Sequence, residues 1–121
     1  MVIYLWVALG GALGSVGRFW LNGVVTARAG DGFPWGTLLI NVLGSFAIGF
    51  FATLPATSDT AKRFLMAGIC GGFTTFSSFA LEFAIFVERD QIGLAAFYVA
   101  VSLAAGFAAL FAGLWLARGA A

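Results

Sequence analysis

The residues able to do chemistry in this 121-residue chain are hydroxyls and one amide set among apolar neighbours. They are Thr37, Asn41, Ser45, Thr74, Thr75, Ser77, Ser78, Tyr98 and Ser102. Each carries a donor hydrogen, and donors suit an anion. Phenylalanines stand beside several of them, and aromatic edges carry partial positive charge. Carboxylates are kept away: Glu82 falls ~15 Å beyond Gly72 along a helix. That distribution argues against a cation path. The chain has no histidine and one cysteine, Cys70, which excludes an intrachain disulfide and a zinc-ligand cluster. Cys70 reads as a small, inert packing residue. No nucleophile–base pair, phosphate loop or metal cluster is present, so an enzyme is not expected. There is no basic stripe, so nucleic acid is not an expected partner.

These donors concentrate in one stretch, Gly68 to Glu82, reading Gly-Ile-Cys-Gly-Gly-Phe-Thr-Thr-Phe-Ser-Ser-Phe-Ala-Leu-Glu. A glycine pair followed by two threonines is a poor uninterrupted helix. In lipid, an interrupted helix is tolerated only where the freed backbone is buried in protein or lines a cavity. The expected break covers residues 71–75. Freed carbonyls at such a break can hold a cation. An anion path and a fixed cation site can therefore coexist. Phe73, Phe76, Phe79, Phe83 and Phe86 form a helical stripe, which either faces lipid and packs or lines the path.

The elements that must hold these groups are membrane spans. Charged residues make up 9% of the chain, against roughly a quarter in soluble domains. Residues 1–17, 32–58, 64–81 and 91–117 carry no charge. Each run is long enough for a span of ~17–25 residues. The reading is a single all-α transmembrane domain with spans at about 2–25, 36–54, 62–87 and 91–117, the third broken near its middle. No signal-peptide pattern is evident, so the first span is expected to be retained. No internal repeat stands out.

Within these spans, Gly10, Gly14 and Gly17 share a face that lets another helix approach closely. Arg18, ~24 Å along the first span, either snorkels to the interface or draws anions to a vestibule. Thr37, Asn41 and Ser45 form a polar stripe at i+4 spacing. Asn41 serves either as interhelical glue or as a donor to a passing ligand. Asn41 and Tyr98 lie ~8 and ~10 Å into their helices from the same side. Tyr98, Ser102 and Gly106 share a face of the fourth span.

Basic residues flank the spans almost evenly: Lys62, Arg63 and Arg118 on the side of the termini, Arg28 and Arg89 on the other, with Arg18 near that interface. Orientation follows an excess of Lys and Arg on the cytoplasmic side, and here there is almost none. Insertion both ways up would make an antiparallel homodimer the natural closed assembly, with the glycine faces as its contact.

The run Gly-Gly-Phe-Thr-Thr-Phe-Ser-Ser-Phe at 71–79, followed by Glu82, resembles the signature of the Fluc (CrcB-type) fluoride channels. Gly-Arg at 17–18 and Gly-Thr-Leu-Leu-Ile-Asn at 36–41 are similar to the same family's first and second spans. The resemblance covers nearly the whole chain. It implies a dual-topology homodimer in the cell (inner or plasma) membrane, with two antiparallel fluoride pores and a structural Na+ at the dimer centre. By that likeness the backbone carbonyls of Gly71 and Thr74 would hold Na+. The fluoride path would take Asn41, Phe76, Phe79, Thr37, Ser77, Ser78, Tyr98, Ser102 and Glu82, with Arg18 in the vestibule. Where family members can carry a second serine one turn after Ser102, this chain has Gly106, so the fourth-span track is defined only as far as Ser102.

The expected function is passive fluoride efflux. The alternatives are a small multidrug-type proton-coupled exporter, which needs a carboxylate in a central cavity, and an accessory subunit of a larger membrane complex.

Overall fold

A lipid-embedded chain must satisfy its backbone hydrogen bonds within each segment, which leaves helices as the solution for these apolar runs. The computed structural model describes residues 1–55 and 58–120, and among them no strand occurs. The helices are α1 (Val2–Ala29), α2 (Trp35–Thr53), α3 (Asp59–Lys62), α4 (Gly71–Phe73), α5 (Phe76–Glu88) and α6 (Ile92–Ala120), with a π-helical segment, Arg63–Cys70, between α3 and α4. Four stretches are long and apolar enough to cross a membrane: α1, α2, α6, and the composite third span Asp59–Glu88. Part of the loop expected at 56–60 lies outside the described residues. Asp59 and Thr60 are already helical, behind a Ser58 cap that accepts from the Ala61 N–H at 3.2 Å.

Helix ends follow local chemistry. Gly30 closes α1 at φ 82°, a conformation that costs glycine little. Its N–H reaches the Thr26 carbonyl at 2.9 Å. Helical dihedrals continue through Gly71, Gly72 and Phe73. The interruption is therefore narrower than the expected 71–75. Only Thr74 and Thr75 are extended, at φ/ψ of −81/155° and −148/118°. Thr75 then caps α5, its hydroxyl accepting from the Ser78 N–H at 3.1 Å.

α1 lies along the π segment and α4, and α2 lies along α6. Glycines set both contacts. A Cβ on Gly14 would stand 2.8 Å from the Phe73 nitrogen, and one on Gly72 would stand 2.9 Å from the Gly11 Cα. Across α2–α6, a Cβ on Gly113 would meet the Phe50 nitrogen at 2.8 Å. Helices this close gain dispersion contacts that lipid cannot supply. The glycine faces expected to serve a dimer contact are thus occupied within one protomer. Sequence spacing marks a packing face without naming its partner.

The protein interior is thin. A small cluster of Phe86, Ala95 and Tyr98, flanked by Phe33, Leu38 and Phe79, is buried. Large apolar side chains such as Phe19, Trp20, Phe107, Phe111 and Trp115 stand outside. That pattern fits a surface covered by hydrocarbon.

Candidate functional site

Two extended residues in mid-span leave peptide groups without helical partners, and burial makes such groups costly. Asn41, on the second turn of α2, solves this for Thr75. Its Oδ1 accepts from the Thr75 N–H at 2.8 Å, and its Nδ2 donates to the Thr75 carbonyl at 3.0 Å. One donor and one acceptor opposite a single peptide fix the orientation of the amide. Asn41 is therefore interhelical glue. It also borders a cavity of about 300 Å³, lined among others by Ser45, Gly71, Thr74, Phe76 and Phe79. An amide NH2 has two hydrogens, so Asn41 retains one for that cavity. Gly44 gives the room in which the Thr74 methyl sits.

The carbonyls around the break divide into two sets. Cys70 O accepts from both the Thr74 N–H (3.0 Å) and the Thr74 hydroxyl (2.9 Å). Gly72 O accepts from Arg18 Nε at 3.2 Å and Ser15 Oγ at 3.4 Å. Thr75 O is taken by Asn41. Among the described residues, the carbonyls of Gly71, Phe73 and Thr74 accept no hydrogen bond. Gly71 and Thr74 both border the first cavity. Oxygen lone pairs without a donor, beside a cavity, have the chemistry a hard cation needs.

Below the break, Glu82 gathers the other donors. Thr37 Oγ1 donates to one carboxylate oxygen and Tyr98 OH to the other, each at 2.8 Å. Thr37 and Tyr98 are buried, at 3% and 0% exposure. This corrects the expectation that Glu82 stands apart from the donors. Distance along the helix axis measured its Cα, whereas its side chain turns inward between α2 and α6. Glu82, Thr37, Ser78 and Arg18 border a second cavity of about 80 Å³. Glu82 also borders a third, of about 250 Å³, which reaches Asp31 and Arg89 near the loops. The guanidinium of Arg18 turns inward to Gly72, so it does not snorkel.

The phenylalanine stripe is not one surface. Phe86 is in the interior and Phe83 is exposed. Phe76 and Phe79 border the first cavity with ring centroids 5.9 Å apart, and Phe79 leans on the Tyr98 ring at 5.0 Å. Ser77 is exposed, and among the described residues its hydroxyl meets only that of Thr75, at 3.4 Å. Ser102 Oγ is buried without a partner among the described residues, and Ser102 lines none of these cavities. The Ser45 hydroxyl stands 3.9 Å from where a Gly106 Cβ would sit, so α2 offers a hydroxyl beside the position where α6 has none.

Two residues escaped the sequence reading. Ser15 reaches the Gly72 carbonyl, and Asn22 borders both the second and third cavities. The signal was there: 15, 18 and 22 share one helical face.

The CrcB-like protein family model, described also as Camphor Resistance (CrcB), matches residues 5–114. Among similar proteins, one from Agrobacterium fabrum is 51% identical over 117 residues, covering 93% of each chain. One from Novosphingobium aromaticivorans is 47% identical over 126 aligned positions, covering both chains completely. One from Opitutus terrae is 59% identical over 88 residues, covering 68% of this chain and 67% of its own. All three bear the name fluoride-specific ion channel FluC, which places them among channels and not among enzymes. With the family model matching nearly end to end and relatives of this identity over full length, the chain belongs to the CrcB-like family.

Proposed function

We propose that this chain is a fluoride-selective channel of the cell membrane that lets fluoride leave the cell passively. The observation that carries the reading is the Glu82 cluster. An acid inside the membrane domain takes one hydroxyl per oxygen, from Thr37 and Tyr98. Hydroxyls that hold a carboxylate are competent to hold a small anion in its place. Fluoride sheds water only where strong donors and positive edges replace it. The spare N–H of Asn41, the Ser78 hydroxyl and the edges of Phe76 and Phe79 are the groups on hand, with Arg18 and Asn22 at the second cavity. The names of the full-length relatives point the same way.

The working unit in this reading is an antiparallel homodimer with two pores. Gly71 and Phe76, on the rim of the first cavity, are exposed in a lone protomer. A cavity that sets the Asn41 amide, the Ser45 hydroxyl and unpaired carbonyls beside hydrocarbon is costly, and a second copy covers it. The balanced flanking charges permit the two insertions this needs. Na+ at the dimer centre, held by the Gly71 and Thr74 carbonyls, would supply a fixed positive charge that binds the copies together. The donor-free state of those two carbonyls supports this assignment. Activity that persists after exhaustive replacement of Na+ would contradict it.

The exporter alternative needs an acid in a drug-sized cavity, ~300–1,000 Å³. The cavities bordered by Glu82 measure about 80 and 250 Å³, and both its oxygens are occupied. The deciding measurement is anion release from proteoliposomes, followed with a fluoride electrode. Fluoride release without matching chloride release is expected. Absence of release from folded protein, or equal chloride flux, overturns the assignment.

A further inference from the structure

We propose that Ser15 and Arg18 are positioning residues for the cation site: by holding the Gly72 carbonyl, they determine which carbonyls of the break remain free. This rests on the Na+ reading above and adds a role to Arg18 beyond the vestibule. In an unbroken helix the Gly72 carbonyl would receive the Phe76 N–H. Extended Thr74 and Thr75 remove that donor. The orphaned carbonyl is next to Gly71 O in sequence and would compete with it, or swing and drag the Gly71–Thr74 backbone along. Ser15 Oγ and Arg18 Nε occupy it instead, at 3.4 and 3.2 Å.

The glycine packing makes that reach possible. A Cβ on Gly14 would stand 3.1 Å from the Gly72 carbonyl carbon, and one on Gly72 would run into Gly11. Without side chains there, α1 comes close enough for a serine and an arginine one turn apart to meet one oxygen. The break also separates two compartments. Gly71 and Thr74 border the first cavity and Arg18 the second, and Thr75 alone borders both. Arg18, which holds Gly72, therefore borders the compartment on the other side of the break from the one that Gly71 and Thr74 border.

Charge and position predict opposite signs, and this makes the idea testable. If Arg18 acted on the cation only through its charge, removing it would tighten Na+ binding, because like charges repel. If it acts by holding Gly72, removing it weakens Na+ binding. Two substitutions separate these effects. Arg18→Gln deletes the charge but places its Nε2 where the arginine Nε was. Arg18→Leu deletes charge and donor together. Ser15→Ala removes the weaker bond alone.

The assay is thermal unfolding of the purified full-length protein in detergent as NaCl replaces N-methylglucamine chloride at constant ionic strength. A ligand that binds the folded state raises the midpoint, so the titration yields a half-stabilising Na+ concentration without any flux measurement. Arg18→Leu should raise that concentration about tenfold or more, as loss of a charge-assisted bond implies. Ser15→Ala should raise it about two- to threefold, and Arg18→Gln should leave it within about twofold of wild type. If the leucine variant does not fold, Ser15→Ala carries the test alone. A lower midpoint at every Na+ concentration, with unchanged Na+ dependence in Arg18→Leu or Ser15→Ala, overturns the proposal and leaves the cation site standing. Tighter Na+ binding in Arg18→Leu also overturns it, in favour of charge repulsion. A wild-type protein indifferent to Na+ overturns the cation site and the proposal together.

Discussion

Replacing Asn41 by alanine tests the proposed reading most directly, because that reading gives the residue two jobs. Asn41 pairs with both the N–H and the carbonyl of Thr75, at 2.8 and 3.0 Å. Alanine leaves both groups without a partner in a part-buried site. Each orphaned group costs about 1–3 kcal/mol, so the upper bound is about 6 kcal/mol. The neighbouring cavity can admit water, which recovers part of this, and about 2 kcal/mol is the working figure. The variant should unfold several degrees lower in detergent and carry less fluoride, because the Thr75 peptide and the cavity donor are lost together. Asn41→Asp keeps the acceptor for Thr75 N–H but sets a carboxylate oxygen against the Thr75 carbonyl. It should carry even less fluoride, since it adds a negative charge to the path. The measurements are an unfolding midpoint and electrode-monitored release from proteoliposomes. A normal midpoint with lost flux would mean that Asn41 does not hold the break. A lowered midpoint with normal flux would remove it from the path.

Tyr98→Phe keeps the ring against Phe79 and deletes only the donor to Glu82, so stability should fall by about 1 kcal/mol while fluoride release slows; unchanged release argues that the Glu82 cluster is structural. Phe79→Ala empties a half-buried site in contact with Tyr98 and should cost about 3 kcal/mol. Phe76→Ala, at a ring 79% exposed in the protomer, should cost a lone protomer little and show its effect in conduction. Equal losses of midpoint in the two would show that the second copy buries Phe76 as the protomer buries Phe79, and a larger loss for Phe76→Ala would contradict the packing described. Gly14→Ala drives a methyl into the backbone at Phe73, and neither backbone can yield. It should lower the yield of folded protein, and a normal unfolding profile would show that α1 is free to move.

The chain's class is plain from its charge-free runs, and the motif at 71–79 points to the family on its own. What the sequence could not supply was direction. Spacing put Gly10 and Gly14 on one face but could not say that the face meets the third span of the same chain. Rise per residue placed the Glu82 backbone far from the donors, yet a long side chain closes that gap by turning inward. Asn41 offered two readings; the geometry shows the interhelical one, and the donor role belongs to the proposed path through the amide's second hydrogen. Thr74 and Thr75 were found within a wider expected break because glycines, though poor helix formers, stay helical when a close neighbour needs their lack of a side chain. Ser102 is a buried hydroxyl without a partner among the described residues.

The two kinds of helix contact divide the protein electrically. Where α1 meets the first half of the third span, and where α2 meets α6, glycines bring the backbones so close that an added Cβ would strike the facing main chain. Packing that tight leaves no space for a hydrated ion, so the glycine contacts insulate. Between them, hydrogen bonds cross from α2 and α6 to the second half of the third span at three places: Asn41 to Thr75, Thr37 to Glu82 and Tyr98 to Glu82. This seam, with the Ser15 and Arg18 contacts to Gly72 at its α1 edge, is where an ion would find polar company. A small protein that must pass one ion and leak no other can thus confine conduction to the line along which its parts are joined by polar groups, with the glycine contacts as the dielectric on either side.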